Sequence, residues 1–246
     1  MKKHGLALIM ALLVLLSVTA LADNGRYDQQ IQQTVGTKLH DAKQLQAVNA
    51  TVEDGIVTLT GSVGLYQDKL DAAKKAKKIS HVTGVRNDIT VSTSSVPDAQ
   101  LQKKLSKQLA YDRVGYRDNT FNYIATNVKD GVVTLTGDAV WDVPLDSALA
   151  IVARTPGVTD VVNDVKVLPV SNFDDSIRVR TARAIYRDSE LGRYASDPAH
   201  PIRIVVDNGH VTLYGSVENT MDKTLAGIRA SSVPGSFSVD NKLVVD

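Results

Sequence analysis

The sequence predicts an α+β protein of three tandem small αββαβ units, each with two helices packed on a three-stranded mixed sheet. Three observations carry this reading. An eight-residue motif occurs three times: Asp54-Gly55-Ile56-Val57-Thr58-Leu59-Thr60-Gly61, then Asp130-Gly131-Val132-Val133-Thr134-Leu135-Thr136-Gly137, then Asn208-Gly209-His210-Val211-Thr212-Leu213-Tyr214-Gly215. A second landmark keeps the same register as Val85-Arg86-Asn87, Val161-Val162-Asn163 and Val239-Asp240-Asn241. In every copy the apolar spacing changes from four to two in the same order, so a whole unit is repeated.

Each element follows from its pattern. Ile31, Val35 and Leu39 share one helix face, as do Leu101, Leu105 and Leu109, and Ile177, Thr181 and Ile185. Alternation then predicts a strand through Val48, Ala50 and Val52, matched by Ile124, Thr126, Val128 and by Ile202, Ile204, Val206. Gly55, Gly131 and Gly209 each complete an Asp-Gly or Asn-Gly pair, the chemistry of a type I′ hairpin turn. The returning strand points Val57 and Leu59 inward, with Val133, Leu135 and Val211, Leu213 equivalent, and Gly61, Gly137 and Gly215 are expected to end it. A second helix is predicted over 66–79, 142–154 and 220–231. Asp142 and Thr220 are its candidate caps, and Pro144 suits its first turn. Ala72, Ala148 and Ala226 occupy one position on it and Ala76, Val152 and Ala230 the next turn, so the helix sits close to the sheet. The last strand carries Val85, Ile89 and Val91, or Val161, Val165 and Val167, or Val239, Leu243 and Val245. A right-handed crossover makes it parallel to the strand before it. Asn87, Asn163 and Asn241 are expected to bond nearby backbone.

The expected divisions are 1–22 as a leader, then units over 23–93, 94–170 and 171–246. Each unit is near the lower size limit for independent folding, so packing between units is expected. Lys2, Lys3 and His4, the apolar run from Leu6 to Leu16 and the small-residue site Ala20-Leu21-Ala22 form a secretory signal peptide, with cleavage expected after Ala22. No later segment is apolar enough to span a membrane.

Composition narrows the chemistry. The 246-residue chain has no cysteine, which excludes disulfides, thiol catalysis and cysteine-held zinc. Its net charge of +1 gives no case for nucleic-acid binding. There is no phosphate-cradling glycine loop, His-Glu-x-x-His or Gly-x-Ser-x-Gly. His200 and His210 flank one strand, but two histidines are short of the three or four ligands zinc takes. No catalytic, cofactor or metal residue is therefore assigned.

The triple Asp-Gly-x-Val-Thr-Leu-x-Gly motif, with Pro156-Gly157-Val158 and Val161-x-Asn163 in the second unit and Val233-Pro234-Gly235 in the third, resembles the BON domain, named for bacterial osmotic-shock and nodulation proteins. The first unit departs with Ser80-His81-Val82, and the third has Ser236 where valine would sit. The resemblance implies a periplasmic, non-enzymatic module that contacts phospholipid surfaces or other envelope components, with osmotic-stress protection as an associated role.

Attachment sites are sought among residues that differ between copies. Lys74, Lys75 and Lys78 fan away from the alanine face of the first unit's second helix. They are either a solvated face balanced by Asp68 and Asp71 or a docking face for anionic headgroups. In the second unit Tyr111, Arg113, Tyr116, Arg117, Phe121 and Tyr123 gather before the first strand. The rings either cover that unit's core or meet a membrane or protein. Arg113, Tyr116 and Arg117 are the candidate contacts. The third unit carries Arg193 and Tyr194 in a longer loop. The expected partner is an anionic phospholipid surface, with an envelope-protein interaction scaffold as the alternative.

Overall fold

The computed structural model describes residues 25–113, 116, 119–195, 197 and 200–246. The leader expected over 1–22, its cleavage site and Arg117 lie outside the described residues. Two compact units form, one ending at Ser92 and one spanning Thr93–Asp246. The first holds one copy of the repeated fold and the second holds two.

In the first repeat, α1 (Asp28–His40) is followed by β1 (Val48–Glu53), β2 (Ile56–Val63), α2 (Tyr66–Lys77), β3 (Gly84–Asn87) and β4 (Thr90–Val91). The second repeat comprises α3 (Asp98–Tyr111), β5 (Tyr123–Lys129), β6 (Val132–Ala139), α4 (Asp142–Ala153) and β7 (Asp160–Val167). The third comprises α5 (Asn172–Tyr186), β8 (Ile202–Asp207), β9 (His210–Val217), α6 (Thr220–Ser231), β10 (Ser238–Asn241) and β11 (Val244–Val245). The middle strand pairs antiparallel with its hairpin partner and parallel with the last strand in every copy. The α+β architecture expected from the repeat is therefore present three times.

The predicted faces form the cores. Ile31, Val35, Leu39, Val57, Leu59, Ala72 and Ala76 are buried together in the first repeat, and Ile177, Ile185, Ile204, Val211, Leu213, Ala226 and Ala230 in the third. Each turn has two successive left-handed residues, such as Asp54 at φ +52° and Gly55 at +77°, as type I′ geometry requires.

Three local expectations need correction. Gly61, Gly137 and Gly215 do not end their strands, which run on to Val63, Ala139 and Val217. They sit instead where the partner strand's backbone approaches closely. The caps also shift by one residue: Asn219 caps α6 by accepting from the Asp222 amide, while Trp141 precedes α4 and makes no side-chain cap bond. The last strand is continuous only in the second repeat. In the first and third it breaks after the asparagine, so that Ile89 and Leu243 turn into the core at 1% exposure. Asn87 and Asn241 hold that break: each amide donates to a carbonyl of the second helix, Lys69 or Lys223, at 2.7 Å, and each side-chain oxygen accepts from the amide two residues on.

Within the second compact unit the two repeats are joined by specific contacts. Tyr123 stacks on Tyr214 with centroids 4.0 Å apart, and Arg203 donates to the Asn119 carbonyl at 2.7 Å. Lys166 pairs with Asp207 at 2.6 Å, and Phe121 packs against the third repeat's core.

Candidate functional site

A helix-start carboxylate in each repeat clamps the hairpin turn. Asp28 accepts from the Asp54 and Gly55 amides, both at 2.9 Å. Asp98 accepts from Asp130 and Gly131 at 2.7 and 3.0 Å, and Asp174 from Asn208 and Gly209 at 3.1 and 2.8 Å. Sequence reasoning missed these residues. The available signal was an aspartate three positions before the first core residue of each leading helix, ahead of Ile31, Leu101 and Ile177. Their role is to fix the turn, so the repeated glycines and aspartates together serve the fold.

The residues that differ between copies form the surface candidates. On α2, Ala72 and Ala76 are fully buried, Lys74 and Lys78 are exposed and Lys75 is half-buried. Among the described residues, none of these lysines is in an ion pair. Asp71 accepts from the Gln67 amide at 3.0 Å, and burial pushes the Asp68 carboxyl above the usual carboxylate range. The two helix carboxylates thus do not pair with the lysine face. Lys78 also lines a groove of about 410 Å³ with Lys38 of α1 and the rings of Tyr27 and His81, stacked 3.9 Å apart. Lys38 was not foreseen because it belongs to the other helix, and only the packing of α1 beside α2 brings it near Lys78.

The aromatic group of the second repeat divides. Tyr123 and Phe121 are used at the junction with the third repeat. Tyr111 and Tyr116 remain 56% and 62% exposed, and the Arg113 guanidinium lies 4.6 Å from the Tyr116 ring centre. In the longer loop of the third repeat the tyrosine is turned inward while the arginine stays exposed. Tyr194 is buried, its hydroxyl donates to Asp222 at 2.6 Å, and Arg193 forms an ion pair with the same carboxylate.

The two histidines flanking β8 have separate partners. His210 meets the Ser238 hydroxyl at 2.7 Å. His200 contacts Asp197 at 2.8 Å through Nδ1 and Asp246 at 3.1 Å through Nε2. The hydrogen bond to Asp197, aided by the charges of Asp246 and Glu218, raises the His200 pKa above 6.5. A raised folded-state value stabilises the fold fully below the unfolded value and loses that contribution as pH rises through the folded value. A ring-proton NMR titration should therefore find the His200 midpoint above 6.5; a midpoint at or below 6.5 would contradict the pairing.

With this geometry in place, the comparisons identify the family. A BON domain profile matches residues 27–93, 97–169 and 188–246, and the chain belongs to the BON domain family. A protein of Anaplasma centrale described as "Uncharacterized protein in gshII 5'region" is 30% identical over 124 residues, covering 49% of this chain and 82% of that one. CdsD, a structural protein of the type III secretion system of Chlamydia trachomatis, aligns at 13% identity with a TM-score of 0.25 over 88% of this chain and 92% of its own. The PrgH periplasmic domain aligns at 11% identity and 0.20 over 82% and 96%. At those scores neither structure bears on the fold or function. Family membership supports an envelope-associated protein of a generally non-enzymatic class. Among the described residues, no helix is long and apolar enough to cross a membrane.

Proposed function

We propose that the chain is an exported, non-enzymatic envelope protein that docks on anionic phospholipid through local basic surfaces, and that this docking serves protection under osmotic or envelope stress. The observation carrying the reading is the lysine face of α2. Lys74 and Lys78 are exposed away from the buried alanines, Lys75 flanks them half-buried, none has an ion pair among the described residues, and Lys78 shares a groove with Lys38. Each lysine near an anionic surface contributes about 1 kcal/mol, and the attraction fades within a Debye length of about 8 Å at physiological salt. Arg113 with exposed Tyr116 supplies a second, basic–aromatic contact suited to a headgroup region.

Co-sedimentation with phosphatidylglycerol vesicles tests this, with the variant Lys74→Glu/Lys75→Glu/Lys78→Glu as comparison. The variant should bind at least about tenfold more weakly while melting like the parent chain. Unchanged binding would remove the lysine face from the reading.

One observation favours a protein partner as second reading. Phe173 and Phe237 in the third repeat lie 5.8 Å apart and are 46% and 69% exposed, a pairing suited to a protein interface. Lipid-independent capture of one envelope protein, lost in Phe237→Ser, would support that reading.

A further inference from the structure

A cavity of about 410 Å³ opens in the second compact unit where its two repeats meet. Its volume falls within the roughly 300–1,000 Å³ typical of small-molecule sites. Leu109, Ala110, Ile124 and Ala148 give it an apolar wall, and Arg203, Arg113 and Asp112 add charge.

Arg203 is the residue the fold leaves unexplained. Among the described residues no carboxylate pairs with it, and its hydrogen bond goes to the neutral Asn119 carbonyl. Burial pulls its guanidinium below the ordinary range, while the neighbouring Tyr186 phenol, pushed up to about 12 by burial, stays neutral. A partly buried cation without a counter-charge is costly, and a carboxylate offers it two parallel hydrogen bonds. Asp112 and Arg113 on the same lining offset one another in charge, so an apolar tail rather than lining charge is what favours the monocarboxylate over inorganic phosphate.

We propose that this cavity binds a small monocarboxylate with an apolar tail, the carboxylate on Arg203 and the tail along Leu109, Ile124 and Ala148. This goes beyond lipid docking, because it uses none of the α2 lysines and no bilayer.

Isothermal titration of the full chain with decanoate below its micelle concentration tests the proposal, with decanol and inorganic phosphate as comparison ligands. One decanoate should bind per chain with a dissociation constant of roughly 0.1–1 mM, as a small ligand of modest efficiency would. Decanol and phosphate should each bind at least about tenfold more weakly. Arg203→Met should weaken decanoate by about tenfold or more, and Ala110→Phe, which fills the cavity without touching the charge, should abolish binding. Thermal melts establish that each variant is folded; if Arg203→Met is not, Ala110→Phe decides. Absence of saturable decanoate binding, equal binding of decanol, or unchanged affinity in folded Ala110→Phe would overturn the proposal. The α2 charge-reversal variant should bind decanoate normally, which separates failure here from failure of lipid docking.

Discussion

Gly61→Ala should unfold the first repeat's hairpin, costing at least about 3 kcal/mol. Gly61 has φ +112°, a region L-residues rarely adopt, and an added Cβ would lie 2.1 Å from the Ala47 carbonyl oxygen. Both sides of the clash are backbone, so no side chain can rotate away. The siblings are built alike: the corresponding Cβ would lie 2.0 Å from the Tyr123 carbonyl at Gly137 and 1.7 Å from that of Pro201 at Gly215. Urea unfolding followed by circular dichroism reads the effect. Gly36→Ala is the matched control, because Gly36 lies inside α1 with nothing within 4 Å of an added Cβ, and it should stabilise by up to about 1 kcal/mol. A Gly61→Ala loss below about 1 kcal/mol would show that the strand can shift to accept a side chain.

Asp174→Ala should cost about 3 kcal/mol, and more than the same change at Asp28 or Asp98. Hydrogen bonds to a charged acceptor are worth about 1.5–3 kcal/mol each, and this carboxylate accepts two from the Asn208-Gly209 turn. Asp174 is 2% exposed, whereas Asp28 and Asp98 are half-buried, so water replaces the lost acceptor least well in the third repeat. Thermal melts of the three variants, with hydrogen exchange at Gly209, give the ranking. Equal losses at all three positions would contradict the role of burial.

The predicted faces were legible because amphipathic spacing and turn chemistry are local: Ile31, Val35 and Leu39 announce a helix face, and Asp54-Gly55 announces a type I′ turn. What the sequence concealed depends on partners far along the chain. Gly61 looks like a strand end until β1 is laid against β2 and the Ala47 carbonyl fills the space of its Cβ. Asp28 looks like an ordinary helix-start acid until the hairpin folds back onto it. The break that buries Ile89 and Leu243 needs Asn87 and Asn241 to reach the second helix. For the candidate site, the exposure of Lys74 and Lys78 followed from helical projection, whereas Lys75, expected on the same outward fan, lies half-buried beside the alanine face. The nearness of Lys38 to Lys78, the burial of Tyr194 against Asp222 and the division of the second repeat's aromatics required tertiary packing.

The three copies place repeated residues in the service of shape, and the proposed lipid docking falls to residues that differ between them. The measurement that tests this most directly is the fraction of chain pelleting with phosphatidylglycerol vesicles, against phosphatidylcholine vesicles, at low and at physiological salt. Pelleting with the anionic vesicles that falls as salt rises, with little on the neutral ones, is the predicted result. No pelleting with anionic vesicles even at low salt would contradict lipid docking.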